Sequence, residues 1–245
     1  MMETKKISLV LLLLFFVNTL TFFAFAQKSD GKCKAYFPTI RGAVLEYTVR
    51  DIKNGSNKGT IRQTVSDVID TDNGLKIIAK SERTDQNVRI DQQGTYSVSG
   101  EMEMRCENGI FYTDVRSLLD SKTAMYKGGD AKLSGTDLQL PAQMSPGQSL
   151  PDADISIGAE TAGLPIPPIT IEVVNRRVEA VESITTPAGT FNCYKITCEV
   201  EMHPVISSYM RLVQWIAEGV GTVKSETYEE NGKLISDMIL TGLKE

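Results

Sequence analysis

The chain has 245 residues, with 31 acidic and 26 basic side chains, one histidine and a formal charge of −5. Without a basic run it offers no footprint for nucleic acid or an anionic membrane surface. With His203 as the only imidazole, the multi-histidine zinc site of an exported metalloprotease is excluded, and no metal or cofactor is expected.

The N-terminus reads as an export signal. Lys5 and Lys6 precede an apolar run from Ile7 to Val17, and Ala24-Phe25-Ala26 forms an A-x-A cleavage site, so Gln27 is the expected mature start. Because the apolar character continues through Phe22 and Phe23, an uncleaved membrane anchor is the alternative. Cys33 follows Ser29-Asp30-Gly31-Lys32 and lacks the apolar and small-residue box of a lipoprotein. Cleavage leaves about 219 residues, residues 27–245, enough for a single β-rich domain. Loss of Lys5, Lys6 and Glu3 moves the charge to about −6, and no transmembrane span remains. The expected address is periplasmic or extracellular.

Four cysteines in such a chain admit three complete pairings. Cys193 and Cys198, five apart in a strand, lie roughly 16 Å apart on opposite faces and cannot bond. The favoured bridge joins Cys33, before the first strand, to Cys106, at the end of another. Cys193 and Cys198 then stay free, Cys198 as a small apolar core residue.

Leu45, Tyr47 and Val49 alternate with Glu46, Thr48 and Arg50, which predicts a strand with one wet face. Turn residues 54–59 lead to a strand from Thr60 to Ile69, and the turn 70–74 leads to Leu75–Ser81, which makes a meander. Tyr96, Val98, Met102, Met104 and Cys106 keep one parity across Gly100, as one long strand would. Glu107-Asn108-Gly109 turns the chain into Ile110-Phe111-Tyr112, and Val115–Leu119 is the candidate short helix. The window from Pro141 to Pro168 holds six of the nine prolines with Gly147, Gly158 and Gly163. It reads as a Pro/Gly-rich insertion, either a solvated loop with a short strand near Ile155 and Ile157 or a lid over a pocket. Beyond it, Tyr194, Ile196, Cys198, Val200 and Met202 form a buried face opposite Lys195, Thr197, Glu199 and Glu201. Further strands are expected over 205–217, 221–228 and 233–243, the last two joined by a turn at Glu229–Gly232. The fold class is therefore all-β: a strongly curved antiparallel sheet, barrel or half barrel, of about ten to twelve strands with at most one or two short helices.

Several blocks carry a resemblance. Thr186-Pro187-Ala188-Gly189-Thr190-Phe191-Asn192-Cys193-Tyr194-Lys195, the Trp215–Glu226 segment, Cys33–Pro38 with Gly42 and Glu46-Tyr47, and Cys106–Tyr112 resemble the secreted TapB/DUF3108-like proteins of Bacteroidota. The resemblance implies an exported β-rich protein without transferable catalytic residues. It also suggests a curved sheet with a concave apolar face, similar in architecture to bacterial lipoprotein-carrier folds.

No catalytic residue is assigned. A Ser-His-acid triad would have to use His203, and no G-x-S-x-G elbow presents a serine. Ser29–Lys32 matches S-x-x-K only formally, Asp70–Gly74 lacks the closing glutamate of a calcium loop, and Asn54-Gly55-Ser56 is a sequon that reads as a turn. The leading expectation is a non-enzymatic envelope protein that binds an apolar or amphiphilic ligand, or another envelope protein, in the concave face of its sheet. Tyr112 and Trp215 are its candidate contacts, and a cavity of about 300 Å³ or more is its structural mark. The alternative is an exported glycan-acting hydrolase using a carboxylate pair, with Glu101/Glu103, Glu199/Glu201 and Asp152/Asp154 as candidates.

Overall fold

The computed structural model describes residues 34–52, 56–85, 96–114, 132–161, 164–203 and 208–245. The chain divides into two units, Met1–Gly31 and Lys32–Glu245, and every described residue belongs to the second. The described residues form thirteen strands and no helix. In chain order these are β1 (Val44–Asp51), β2 (Ser56–Thr71), β3 (Gly74–Asp85), β4 (Tyr96–Glu107), β5 (Ile110–Thr113), β6 (Lys132–Gly135) and β7 (Leu138–Pro141). They continue with β8 (Ala153–Thr161), β9 (Leu164–Thr186), β10 (Gly189–His203), β11 (Ser208–Ala217), β12 (Gly221–Glu229) and β13 (Leu234–Lys244). The candidate helix Val115–Leu119 lies outside the described residues.

Turn chemistry sets the pairing. Asn108 and Gly109 have positive φ, 51° and 79°, the combination that a two-residue hairpin loop needs to match strand twist. β4 and β5 therefore pair with Glu107 opposite Ile110. β3 and β4 pair from Gly74↔Glu107 to Asp85↔Tyr96 without a register shift, so the long strand across Gly100 forms as its parity predicts.

All thirteen strands join one antiparallel sheet, in the order β6-β8-β9-β10-β11-β12-β13-β1-β2-β3-β4-β5-β7. Its two edges, β6 and β7, are separated in the chain only by Thr136 and Asp137. A two-residue link reaches no more than about 10 Å, so the sheet must curl until its edges nearly meet. The ladder stays open at this seam, which other contacts tie together. Thr136 N donates to the Asp154 carbonyl at 3.0 Å, and Asp137 pairs with Arg105 of β4.

The Pro/Gly-rich window is mostly sheet. β8 and the start of β9 pair from Thr161↔Leu164 to Ala153↔Val173, while among the described residues β10 pairs no further along β9 than Thr170. Among the described residues, Pro165, Pro167 and Pro168 thus occupy a stretch paired on one side, where a missing N–H is tolerated. Residues 142–152 form the non-strand part, held to β9 by three backbone bonds, Gly147 N to Val178 O, Leu150 N to Arg176 O and Val178 N to Gln148 O.

The inner face carries the main core. Leu45, Ile77, Val178 and Leu240 are fully buried there with Tyr47, Met104, Phe111 and Ile196, and Met144 and Leu150 of the 142–152 segment pack onto it. Each such aliphatic side chain contributes about 1.5–3 kcal/mol by leaving water.

Candidate functional site

The curl of the sheet leaves a cavity of about 230 Å³ in its interior. Ten of the thirteen strands supply a wall residue, and Tyr36 and Phe37 close part of it from the segment before β1. Most of the wall is apolar, with Met102 and Met104 of β4, Phe111 of β5, Leu138 and Leu140 of β7, Ile196 of β10, Ile216 of β11 and Met238 of β13. Gln63, Thr113, Gln214 and Thr222 add neutral polar groups, and Gln63 Nε2 donates to Met102 Sδ at 3.2 Å. Tyr36 donates its hydroxyl to the Pro141 carbonyl at 3.1 Å and meets Phe111 and Tyr194 edge-on, with centroids 6.0 and 6.1 Å away. Burial pushes the phenols of Tyr36 and Tyr47 well up, so both stay neutral donors. A mainly apolar wall with a few convergent polar groups is the composition of a small-molecule site. The volume falls below the 300 Å³ mark, which limits the occupant to something smaller than a drug-sized molecule.

One wall residue is charged. Arg176 of β9 is only 6% exposed, and its guanidinium donates to the Pro151 carbonyl and, at 3.2 Å, to the Gln139 carbonyl. Burial pulls it below the ordinary arginine range, although an arginine remains protonated at physiological pH. Among the described residues, no aspartate or glutamate lies on the cavity wall. Alternation would have sent Arg176 outward. Ile171 and Val173 face Met202 and Val200 on the inner side, a parity that assigns Asn175 and Arg177 to the inner face. Instead, Asn175 adopts φ 53°, and Asn175 and Arg176 together oppose the single residue Cys198, which makes a β-bulge. The extra residue resets the parity, and Arg176 and Val178 turn inward. Asparagine suits the left-handed conformation, so the Asn-Arg-Arg interruption was the available signal.

The sequence matches the DUF3108-like family over residues 40–240. The chain belongs to that family. No curated protein matches it. Two solved structures share the fold of this DUF3108-like chain. One, from Bacteroides fragilis, is described as an exported protein with a YmcC-like fold. It has 23% identity and a TM-score of 0.69, and the match covers 87% of this chain and 100% of that one. The other, from Parabacteroides distasonis, is described as a lipoprotein. It has 22% identity and a TM-score of 0.70, again over 87% of this chain and 100% of that one.

The two aromatic residues singled out in the sequence of this DUF3108-like protein do not reach the cavity. Tyr112 lies beside Arg105, whose guanidinium sits 5.1 Å from the ring centroid and also binds Asp137 at the seam. Trp215 belongs to a separate cluster with Cys193, Val213, Ala217 and Val223. Its partners are Lys224 Nζ at 4.6 Å and Lys195 Nζ at 5.4 Å from the ring centroid, and its Nε1 donates to Glu182 at 3.4 Å. The surface hollow over Trp215 is larger, about 480 Å³. It is a weaker candidate because it lies open on the surface and its lysines are already paired, Lys224 with Glu226 at 2.6 Å and Lys195 with Glu182 at 3.3 Å, while Arg211 lies over the Tyr228 ring at 4.4 Å.

Cys193 and Cys198 are free and buried, and burial pushes both thiols up to about 11. Cys106 is fully buried and is not among the free cysteines, while Cys33 lies outside the described residues. None of the candidate carboxylates lines the cavity. Glu103 pairs with Lys76 at 2.6 Å, Glu199 accepts from Asn175 Nδ2 at 2.5 Å, and Asp154 accepts from Thr136 Oγ1 at 2.7 Å. Glu201 faces His203 at 3.3 Å, with Glu172 beside them, all three ligand atoms lying within 4.8 Å of one another. Among the described residues, no helix is long and apolar enough to cross a membrane.

Proposed function

We propose that this protein is an exported, non-enzymatic envelope protein whose curled sheet holds a small amphiphilic molecule in its interior. The cavity carries the reading: about 230 Å³ of space, walled by ten strands, mainly apolar and bordered by a few neutral polar groups and Arg176. A cavity of about 150 Å³ takes benzene, so this one has room for about ten non-hydrogen atoms. Methionines at three wall positions suit such a ligand, because an unbranched thioether adapts its shape to what it touches. The hydrolase alternative gains no support here, since its candidate acids are away from the cavity.

Calorimetric titration of the mature protein with primary alcohols of increasing length tests the reading. Affinity should rise to about eight carbons and fall beyond, as the cavity fills. A protein that binds none of them has a filled core, and the reading is then wrong.

Export itself rests on the N-terminal signal and on the exported and lipoprotein descriptions of the two proteins that share the fold. The mature chain would begin at Gln27, in the periplasm or at the cell surface. N-terminal sequencing of exported material should read from Gln27, and a Met1 start would contradict this. Within the same proposal Cys33 bridges Cys106, and non-reducing peptide maps should contain that pair. A Cys106 to Cys198 peptide would refute it.

A further inference from the structure

Arg176 is a buried charge without an acidic partner. Its hydrogen bonds go to two backbone carbonyls, those of Pro151 and Gln139, and among the described residues it is the one charged group on the cavity wall. The electrostatic influences on it are Cys198, whose thiol is kept neutral by burial, and then Asp152, an exposed residue off the wall. Taking a guanidinium out of water is expensive, and proteins normally offset this with a paired anion. The two carbonyl bonds clip β7 and the 142–152 segment to β9 and so help close the seam, but that task does not need a charge. A neutral amide such as glutamine could donate to two carbonyls without a charge to bury. The guanidinium also has more donors than the clip uses, five N–H groups in a planar fork that matches a carboxylate.

We infer that the cavity takes an anionic amphiphile, a carboxylate on a short apolar chain, with the carboxylate on Arg176 and the chain among Met102, Met104 and Met238. This rests on the proposed binding function and names the head group of its ligand. By the volume above, a chain of about eight carbons with its carboxylate fills the space. The apolar wall contributed by β4 and β13 is where the tail leaves water.

Three probes of equal chain length test it on the mature wild-type protein at neutral pH, each below its micellar concentration: octanoate, 1-octanol and octylammonium. Octanoate should bind about tenfold tighter than octanol or better, as a charge-assisted bidentate pair requires, and octylammonium should not bind. Arg176→Gln, which keeps donors for the two carbonyls, should abolish the preference for the anion, so that octanoate binds this variant no tighter than octanol does. If that variant does not fold, the three-probe comparison on the wild type still decides. Octanol binding as tightly as octanoate, or octylammonium binding at all, overturns the anionic head group and leaves the cavity reading standing. Binding of none of the three overturns both.

Discussion

The two faces of β11 bury side chains by different means. On the inner face, Ile216 joins the main core because the sheet curls round and brings opposite strands onto it, while Gln214 borders the cavity. On the outer face no second layer of the described chain covers Val213, Trp215 and Ala217. Trp215 is nevertheless only 5% exposed, because Lys195 and Lys224 lay their stems and ammonium groups over its ring. Burial is thus not evidence of the interior: one apolar cluster is made by the closure of the fold, the other by the roofing side chains of neighbouring strands.

If that distinction is right, truncation should cost most on the inner face. Leu45→Ala or Ile77→Ala, each at a fully buried site, should lose about 3 to 5 kcal/mol in urea unfolding, since a closed core can relax only partly around the void. Trp215→Ala removes a larger side chain, yet it should lose only about 2 to 3 kcal/mol, below the usual core range, because flexible lysine stems can settle into the space. An equal or greater loss at Trp215 would erase the contrast. Lys224→Ala, which lifts one side of the roof, should cost about 1 kcal/mol. The exposed pair of Arg62 with Glu46, 3.0 Å apart, marks the bottom of the scale, and Arg62→Ala should change stability by less than about 0.5 kcal/mol.

The free thiols sharpen the comparison without mutation, since Cys198 faces inward and Cys193 belongs to the outer cluster. Both titrate near 11 in the folded protein, so at pH 8 about one in a thousand is a thiolate. Native protein should therefore resist thiol reagents at that pH and label at both cysteines in denaturant. Rapid native labelling of Cys193 alone would mean that the lysine roof opens readily. The same shifts make stability pH-dependent. The unfolded chain loses these protons first, so the contribution is complete below about pH 9 and is lost as the pH rises toward 11. Unfolding midpoints across that range should fall.

Much of the architecture was legible because it rests on local rules. The parity of Tyr194, Ile196 and Cys198, the unbroken strand over Gly100 and the Asn108-Gly109 turn all follow from period-two alternation and positive-φ residues. Three features depend on pairing that no local pattern reveals. The prolines near 165–168 read as loop because their place in a strand depends on pairing with β8, and among the described residues β10 pairs with β9 only as far as Thr170. Trp215 read as a concave-face residue because Leu212–Ala217 is apolar on both parities apart from Gln214. Arg176 was passed over because the bulge at Asn175 reverses the assignments of Arg176 to Val178, until a second register shift before Ala180 restores them, and so it hides the charge on the cavity wall. The candidate site is thus the part least visible in the chain, since it is assembled from residues that ten separate strands bring together.

The central claim is that the interior is a binding space, and the methionine methyl groups report on it directly. With 13C-labelled methionine methyls, titration with octanoate should shift Met102, Met104 and Met238 in a saturable way and leave Met144, buried in the core but off the cavity wall, unmoved. An unchanged spectrum, or a shift at Met144 without those three, would contradict the account.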